Sequence, residues 1–213
     1  MSSIPAPETT EALRNTPMQQ RSATRVTLLL DAAAALIDEK GIDGLTTSDV
    51  AARSKSSVGV VYRYYPNIQS LLLALAARNL ERFLARTAEL ATVTPTDWLS
   101  GLDPVVDLAV EMARTEPGFR ALRFGSLIDQ RFVEGRNPTH AQLAHAFTKS
   151  VSERYNLPIT DELEFDIEVA VEVSEALLIR AFQFDKNGDE RFIARGRVVL
   201  HDLLAHHAVE VPR

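Results

Sequence analysis

Hydroxyl and cationic side chains are concentrated between residues 46 and 64, at spacings that suit contacts with a nucleic acid. Hydroxyl groups can donate to phosphate oxygens or exchange hydrogen bonds with base edges, and Lys and Arg can neutralise phosphates. Such contacts require that the side chains share one exposed surface on rigid elements. The polar candidates are Thr46, Thr47, Ser48, Lys55, Ser57, Tyr62, Arg63 and Tyr64.

Two short helices joined by a turn are predicted to position these side chains. Thr46 and Asp49 have the spacing of a capping box, which predicts a helix that starts near Thr47. A second helix is predicted over residues 57–64, where Pro66 forces the preceding residue out of helical geometry. The pattern is a helix-turn-helix in outline, although other all-helical proteins also contain such pairs.

The start of the second helix would carry the base-reading positions. In a helix-turn-helix, the first turns of the second helix meet base edges in the major groove. These positions are Ser57, Val58, Gly59 and Val60. Because valine cannot form hydrogen bonds, we expect the two valines to contact thymine methyl groups, whereas Ser57 can pair with several bases. Few side chains would therefore read the DNA sequence through direct contacts with bases.

A longer register of residue types surrounds this pair of helices. Its positions are Leu29, Asp31, Ala32, Ala33, Gly41, Thr46, Thr47, Val50, Ala51, Gly59, Tyr62, Tyr65 and Leu71. In this register, residues 21–72 resemble the DNA-binding domain of the TetR family of bacterial transcriptional regulators. The resemblance implies an all-α fold with an N-terminal three-helix helix-turn-helix domain and a C-terminal helical domain for ligand binding and dimerisation.

The resemblance also implies roles for individual residues. Ser48 matches a position that contacts bases in some members, and Tyr65 matches an aromatic residue in the core of the head. Lys55 and Arg63 are chemically suitable additions to the phosphate contacts. The positions that match phosphate contacts are Thr46, Thr47, Tyr62 and Tyr64.

Three positions depart from the family pattern. Lys55 and Ser56 stand where the turn usually reads Gly-Val. Ile68 stands where the following helix usually begins with a phosphate-binding lysine.

Composition and charge narrow the class of protein. The chain of 213 residues is 46% hydrophobic and contains no cysteine, which excludes disulfides and thiolate chemistry. Its net charge of −6 divides into +1 over residues 1–90 and −7 over the remainder, so the acidity lies away from the predicted DNA-binding end. The sequence shows neither a membrane-spanning run nor a signal peptide, and a cytoplasmic location is expected.

Three segments are predicted. Residues 1–20 contain three prolines and few apolar residues and are expected to form a flexible arm. Residues 21–66 would form the helix-turn-helix domain, whose first helix is predicted from about Thr24 to Lys40. Residues 67–213 would form the C-terminal domain, in which apolar residues recur with helical periodicity and no strand pattern is convincing.

The C-terminal domain contains enough aromatic residues to line an apolar pocket, although ordinary core packing would explain each of them as well. Glu168, Glu172 and Glu175 share a helix stripe that would favour a cationic ligand if it faced the pocket, and solvent exposure is the alternative. The candidate ligand contacts are Trp98, Met112, Phe119, Phe124, Phe147, Phe165, Glu172 and Phe182.

Two C-terminal helices are broadly apolar, which predicts a four-helix interface between two copies of the chain. The alternative is that these helices pack only within one chain. The candidate dimerisation residues are Val171, Leu178, Phe192, Gly196, Val199, Leu200 and Leu203.

Catalytic and metal-binding motifs are not recognisable in the sequence. His140 and His145, like His201 and His206, are five residues apart and miss the i, i+4 spacing of a helical metal pair. We therefore predict no enzyme activity, no metal site and no cofactor.

The sequence predicts a homodimeric repressor that binds a palindromic double-stranded DNA operator and is released by a small, largely apolar effector. One alternative is a regulator of the same fold without a small-molecule ligand, acting as an activator or under the control of a protein partner. A second is an all-helical dimer that has lost DNA binding.

Overall fold

The structure, a computed structural model, describes residues 10–91, 98–123, 138–155 and 157–207. Every regular element in these ranges is helical, which confirms the predicted all-α fold. Short 3-10 turns cover Leu99–Gly101 and Ala205–His207. The helices are α1 (Thr10–Lys40), α2 (Thr47–Arg53), α3 (Val58–Tyr64), α4 (Ile68–Ala91), α5 (Leu102–Thr115), α6 (Phe119–Arg123), α7 (Pro138–Tyr155), α8 (Asp161–Phe182) and α9 (Glu190–Leu204).

Helix α1 begins earlier than the sequence predicted. The prolines of residues 1–20 favoured an arm followed by a helix from about Thr24, whereas the helix starts at Thr10. Residues 10–20 therefore belong to α1, and residues 1–9 lie outside the described residues.

The helix-turn-helix is a compact head with its own apolar core. Leu29 and Ala33 of α1 pack with Val50 of α2 and Val61 of α3 in one cluster of buried residues. Tyr65 lies 8% exposed in this cluster, as predicted, and burial raises the pKa of its hydroxyl. Because α2 and α3 are fixed by this core, their outer faces form a rigid surface.

The head core extends beyond the predicted boundary at residue 66. Leu71, Leu72 and Leu75 of α4 are buried in it, and Ile68 packs against it. The apolar side chain at position 68 therefore supports the head from within, where the family pattern has a lysine.

Helix α6 connects the head to the C-terminal helices. Leu122 of α6 is buried in the head core, whereas Phe119, at the start of the same helix, is buried in the C-terminal core. The Gly118 amide donates to Asp38 Oδ1 of α1 at 2.9 Å, and Arg78 of α4 pairs with Asp31 of α1 at 2.7 Å. Helices α4 and α6 therefore join the C-terminal domain to the head.

Two side-chain caps fix the starts of the last two helices. The Thr160 hydroxyl accepts from the Leu163 amide at 3.1 Å at the start of α8. The Asp189 carboxylate accepts from the Arg191 amide at 2.9 Å at the start of α9. Helices α8 and α9 then pack against each other, with Gly196 Cα facing Leu177.

Candidate nucleic-acid interface and ligand cavity

The turn between α2 and α3 is closed by a Schellman motif. The Ser56 amide donates to the Ala51 carbonyl at 2.9 Å, and the Lys55 amide donates to the Ala52 carbonyl at 3.2 Å. Lys55 adopts a φ of 51°, the left-handed conformation that glycine adopts most readily. The turn thus keeps its geometry without the family's glycine, at the cost of placing a lysine in a strained conformation.

Ser56 replaces the family's apolar turn residue with a polar contact. Arg25 Nη1 of α1 donates to Ser56 Oγ at 3.1 Å. This hydrogen bond joins the turn to the first helix where a valine would have packed by contact alone.

The start of α3 is exposed. Ser57 caps the helix by accepting from the Val60 amide at 3.3 Å, and Val58 and Gly59 face outward beside it. A Cβ placed on Gly59 would come within 4 Å of a single atom, Ser57 Oγ at 3.9 Å. Packing within the chain therefore does not require a glycine, although glycine weakens a helix by about 1 kcal/mol relative to alanine.

Tyr62 and Thr47 meet beside this exposed surface. Tyr62 is 51% exposed, so it is not a buried core tyrosine. The Thr47 hydroxyl donates to Tyr62 Oη at 3.3 Å, which leaves the phenolic proton free to point outward. Ser48 is also exposed, whereas Tyr64 is half-buried against the head core.

Thr46 is engaged in the predicted capping box. Its hydroxyl accepts from the Asp49 amide at 3.2 Å and donates to the Asp49 carboxylate, which also accepts from the Thr46 amide. Hydrogen bonds from Lys40 and Thr46 lower the pKa of Asp49, so the carboxylate stays ionised. Both donors of Thr46 are used inside the protein, and we expect this residue to shape the surface instead of donating to a phosphate.

The four cations of residues 40–63 fall into two groups. Lys40 pairs with Asp49, and Arg53 pairs with Glu39 at 2.6 Å. Lys55 and Arg63 are exposed and form no ion pair with any residue that the structure describes. This second group therefore carries the positive charge that a phosphate backbone could meet without competition.

A second candidate site is a cavity of about 140 Å³ inside the C-terminal domain. Its walls come from α4, α5, α7, α8 and α9, and most of the lining side chains are apolar. Polar groups enter it at a few points, among them Ser150, Ser174 and Glu175. A largely apolar wall with few polar groups is typical of a small-molecule site.

Two of the predicted ligand residues, Trp98 and Phe147, line this cavity. Others do not. Met112, Phe119 and Phe182 are buried in the surrounding core without facing the cavity, whereas Phe165 is 64% exposed and Glu172 is exposed on the opposite side of α8. Phe124 lies outside the described residues. The presence of an aromatic side chain alone therefore did not predict whether a residue lines the cavity, lies in the core or is exposed at the surface.

The polar groups of the cavity were largely missed by sequence analysis. Glu175, 8% exposed, lies at the cavity, while Glu172 on the same predicted stripe faces outward. Trp98 is 4% exposed, and its indole N–H has no hydrogen-bond acceptor among the described residues. A buried, unsatisfied donor is costly unless a partner reaches it.

Four of the predicted dimerisation residues are buried within one chain. Val171 and Leu178 of α8 and Leu200 of α9 line the cavity. Phe192, Val199 and Leu203 are half-buried, and Gly196 is buried beside Leu177. Helix α8 is apolar on several sides because one side faces the cavity and another faces α9.

The outward side of these two helices carries different residues. Helix α8 exposes Phe165 and Ala176, and α9 exposes Ala194 and Val198, which is 48% exposed. They alternate with charged residues such as Arg195. A second copy could contact these exposed residues if the dimer is built from α8 and α9.

Together, the helix-turn-helix head and the cavity-bearing helical domain define a class of bacterial regulatory proteins. The family model described as "Bacterial regulatory proteins, tetR family" matches residues 29–75. The model described as "Tetracyclin repressor-like, C-terminal domain" matches residues 96–208, more than half of the chain. The chain therefore belongs to the TetR family.

Individual relatives support this assignment. A TetR-family transcriptional regulator from Streptomyces coelicolor is 35% identical, with a TM-score of 0.74 over 85% of this chain and 98% of that chain. The HTH-type transcriptional repressor KstR of Mycolicibacterium smegmatis is 38% identical over 69 residues, or 32% of this chain and 34% of the repressor. KstR of Rhodococcus jostii is 29% identical over 135 residues, or 55% of this chain and 64% of that protein. The matches thus span less than two thirds of either KstR.

Among the helices that the structure describes, none is both long enough and apolar enough to span a bilayer.

Proposed function

We propose that this chain is a sequence-specific DNA-binding transcriptional repressor that acts as a homodimer in the cytoplasm. Its ligand would be small and largely apolar, and would release it from a palindromic operator. The observation that carries the proposal is the exposed α3 surface, where Ser57, Val58 and Gly59 lie beside the Thr47–Tyr62 pair and the unpaired cations Lys55 and Arg63.

The head supports DNA binding by geometry more than by net charge. The first turn of α3 protrudes and can enter a major groove, while Tyr62, Lys55 and Arg63 flank it where phosphates would pass. With few cations per head, affinity would come from two heads that bind successive half-sites. A dimer doubles the number of phosphate contacts, and each contact contributes to affinity in a salt-dependent way.

The outward face of α8 and α9 is the proposed dimer interface. Phe165 and Val198 are large apolar side chains exposed on neighbouring helices of a domain that matches the family's C-terminal model. A two-fold axis between the two copies would bury both and complete a four-helix bundle.

The cavity defines the chemistry of the proposed ligand. Apolar walls favour a hydrocarbon body, and the buried Trp98 N–H favours a ligand that places a carbonyl, hydroxyl or ether oxygen within hydrogen-bond reach. Such a ligand satisfies a donor that has no acceptor among the described residues, so it should bind more tightly than a hydrocarbon of the same shape.

Ligand binding would reach the heads through α4 and α6. Phe83 of α4 lines the cavity, while Leu71 and Leu75 of the same helix lie in the head core. A ligand that favours one tilt of α4 changes the separation of the two heads, provided that it binds this state more tightly by a few kcal/mol.

The first experiment is selection of fragmented genomic DNA by the purified protein, in parallel with a Thr47→Ala/Tyr62→Phe variant. We expect wild type to enrich a palindromic site and the variant to lose most of the enrichment. Thr115→Ala, which removes an exposed hydroxyl of α5, is the matched control and should behave as wild type. Failure of wild type to enrich any site at low salt would contradict the proposal.

A second experiment tests the cavity. A thermal-shift screen of apolar compounds with and without an oxygen acceptor should favour those with the acceptor. Trp98→Phe keeps an aromatic wall and removes the N–H, so it should abolish that preference. An equal preference in both proteins would exclude the indole as the group that selects the ligand.

A further inference from the structure

A carboxylate and two imidazoles meet where the 3-10 turn that follows α9 packs against α8. His206 Nε2 lies 3.0 Å from Asp166 Oδ2, and His207 Nε2 lies 2.7 Å from the same oxygen. The two rings are 3.9 Å apart between centroids. Asp166 belongs to α8 and the histidines to the 3-10 turn Ala205–His207, so only the packing of the last two helices brings them together.

The three groups offer ligand atoms in a compact set. One nitrogen from each histidine and a carboxylate oxygen all lie within 4.8 Å of one another. Two ligands bound to a tetrahedral Zn²⁺ at ordinary bond lengths are separated by roughly 3.4 Å. A small adjustment of the rings is therefore enough to place one ion among them.

The burial of the groups differs in a way that suits an exchangeable ion. The side chains of Asp166 and His207 are 16% and 13% exposed, which holds them in place, whereas His206 is 52% exposed and leaves an approach from solvent. Three protein ligands leave at least one position for water or another ligand, unlike a closed four-ligand structural site.

From this geometry we infer that Asp166, His206 and His207 form a binding site for a divalent transition-metal ion, separate from the DNA surface and the ligand cavity. Two imidazole nitrogens and one carboxylate oxygen select Zn²⁺, Cu²⁺, Ni²⁺ or Co²⁺ over Mg²⁺ and Ca²⁺, which prefer oxygen ligands. A bound ion would fasten the end of α9 to the first half of α8.

The position of the site gives the ion a structural consequence. Asp166 precedes Ile167, and the histidines follow Leu204 by two and three residues; both apolar residues line the cavity. The metal would therefore restrain two segments of the cavity wall without contacting the cavity itself.

The test uses full-length protein that carries no polyhistidine tag and has been treated with a chelator. Competition with a chromophoric chelator at neutral pH should show one Zn²⁺ or Cu²⁺ per chain. Asp166→Asn and His207→Gln should each weaken binding at least tenfold, and Mg²⁺ should not compete. The Cu²⁺ electron paramagnetic resonance spectrum should show coupling to two nitrogen nuclei, which a non-specific surface ion would not give reproducibly.

His201→Gln is the matched control. His201 Nε2 also lies close to a carboxylate, 3.2 Å from Asp103 Oδ1, but in a pair with no second histidine described beside it. This variant should bind the metal as wild type does. The inference is overturned if wild type binds no more metal than the Asp166→Asn/His207→Gln double variant, or if the loss occurs in His201→Gln instead. Circular dichroism of each variant confirms that it is folded.

Discussion

The Thr47 hydroxyl donates a hydrogen bond to Tyr62 Oη across 3.3 Å, joining α2 to α3 at the outer surface of the head. Because the threonine supplies the proton, the tyrosine hydroxyl keeps its own proton for another acceptor. The pair therefore leaves one hydroxyl proton for an acceptor outside the protein, and the proposed function assigns that role to a DNA phosphate.

Replacement of Tyr62 with Phe should weaken operator binding by about a hundredfold, because each of the two heads loses a hydrogen bond to a charged acceptor, and each loss weakens binding about tenfold. The salt dependence should not change, since no cation is lost. Arg63→Gln should instead lower the slope of log K against log salt by about 1.8, because the two heads of a dimer each lose one phosphate contact, which contributes about 0.9. Both variants should keep the melting temperature of wild type. Equal slopes for wild type and Arg63→Gln would exclude a phosphate contact by this arginine.

Gly59→Ala should stabilise the folded protein and weaken its binding to the operator. Alanine should raise the free energy of unfolding by up to about 1 kcal/mol, because it favours the helix and its methyl group meets Ser57 Oγ at an ordinary van der Waals distance of 3.9 Å. The added methyl group should weaken operator binding if α3 approaches the bases closely at this point. Denaturant unfolding and operator titration measure the two effects, and unchanged DNA affinity would show that residue 59 lies away from the DNA.

Lys55→Gly should stabilise the head by about 0.5–1 kcal/mol, because relief of the left-handed strain outweighs the added flexibility of the unfolded chain. Lys55→Ala retains the strain and should leave stability nearly unchanged. Both variants remove the same cation and should lower the salt slope equally. A glycine variant no more stable than the alanine variant would contradict the strain assigned to this turn.

Val198→Glu should dissociate the homodimer, because it places a charge at the proposed α8–α9 interface. Sedimentation equilibrium should show monomers at concentrations where wild type is dimeric, and operator affinity should fall with the loss of the second head. The control is Leu73→Glu, which places the same charge at an exposed leucine of α4. If only the control dissociates, the interface lies elsewhere.

The pH dependence of stability tests the contribution of the ionised Asp189 carboxylate. Hydrogen bonds from the Arg191 side chain and amide lower the pKa of this carboxyl to about 2. A lowered folded-state pKa stabilises the protein above the unfolded pKa of about 3.9, and this contribution is lost as pH falls towards 2. Asn can still cap the helix, so Asp189→Asn should melt below wild type at neutral pH and approach it between pH 4 and 2. A constant difference across that range would exclude the charge as the cause.

The sequence by itself determined the elements whose signals are local. The capping box of Thr46 and Asp49, the caps at Thr160 and Asp189, and the core position of Tyr65 follow from side chains that reach backbone groups within one helical turn or from the family register. Such contacts need no knowledge of the rest of the chain.

Only the tertiary structure determined whether each side of a helix faces the cavity, a neighbouring helix or solvent. Val171 and Leu178 face the cavity and Phe165 faces outward, although all three are apolar residues of one helix. Likewise, Asp166 meets His207 across 41 positions of sequence. Helical periodicity predicts which residues form an apolar stripe along a helix. Which element packs against that stripe depends on contacts between distant parts of the chain, because all buried faces must be close-packed in the same structure.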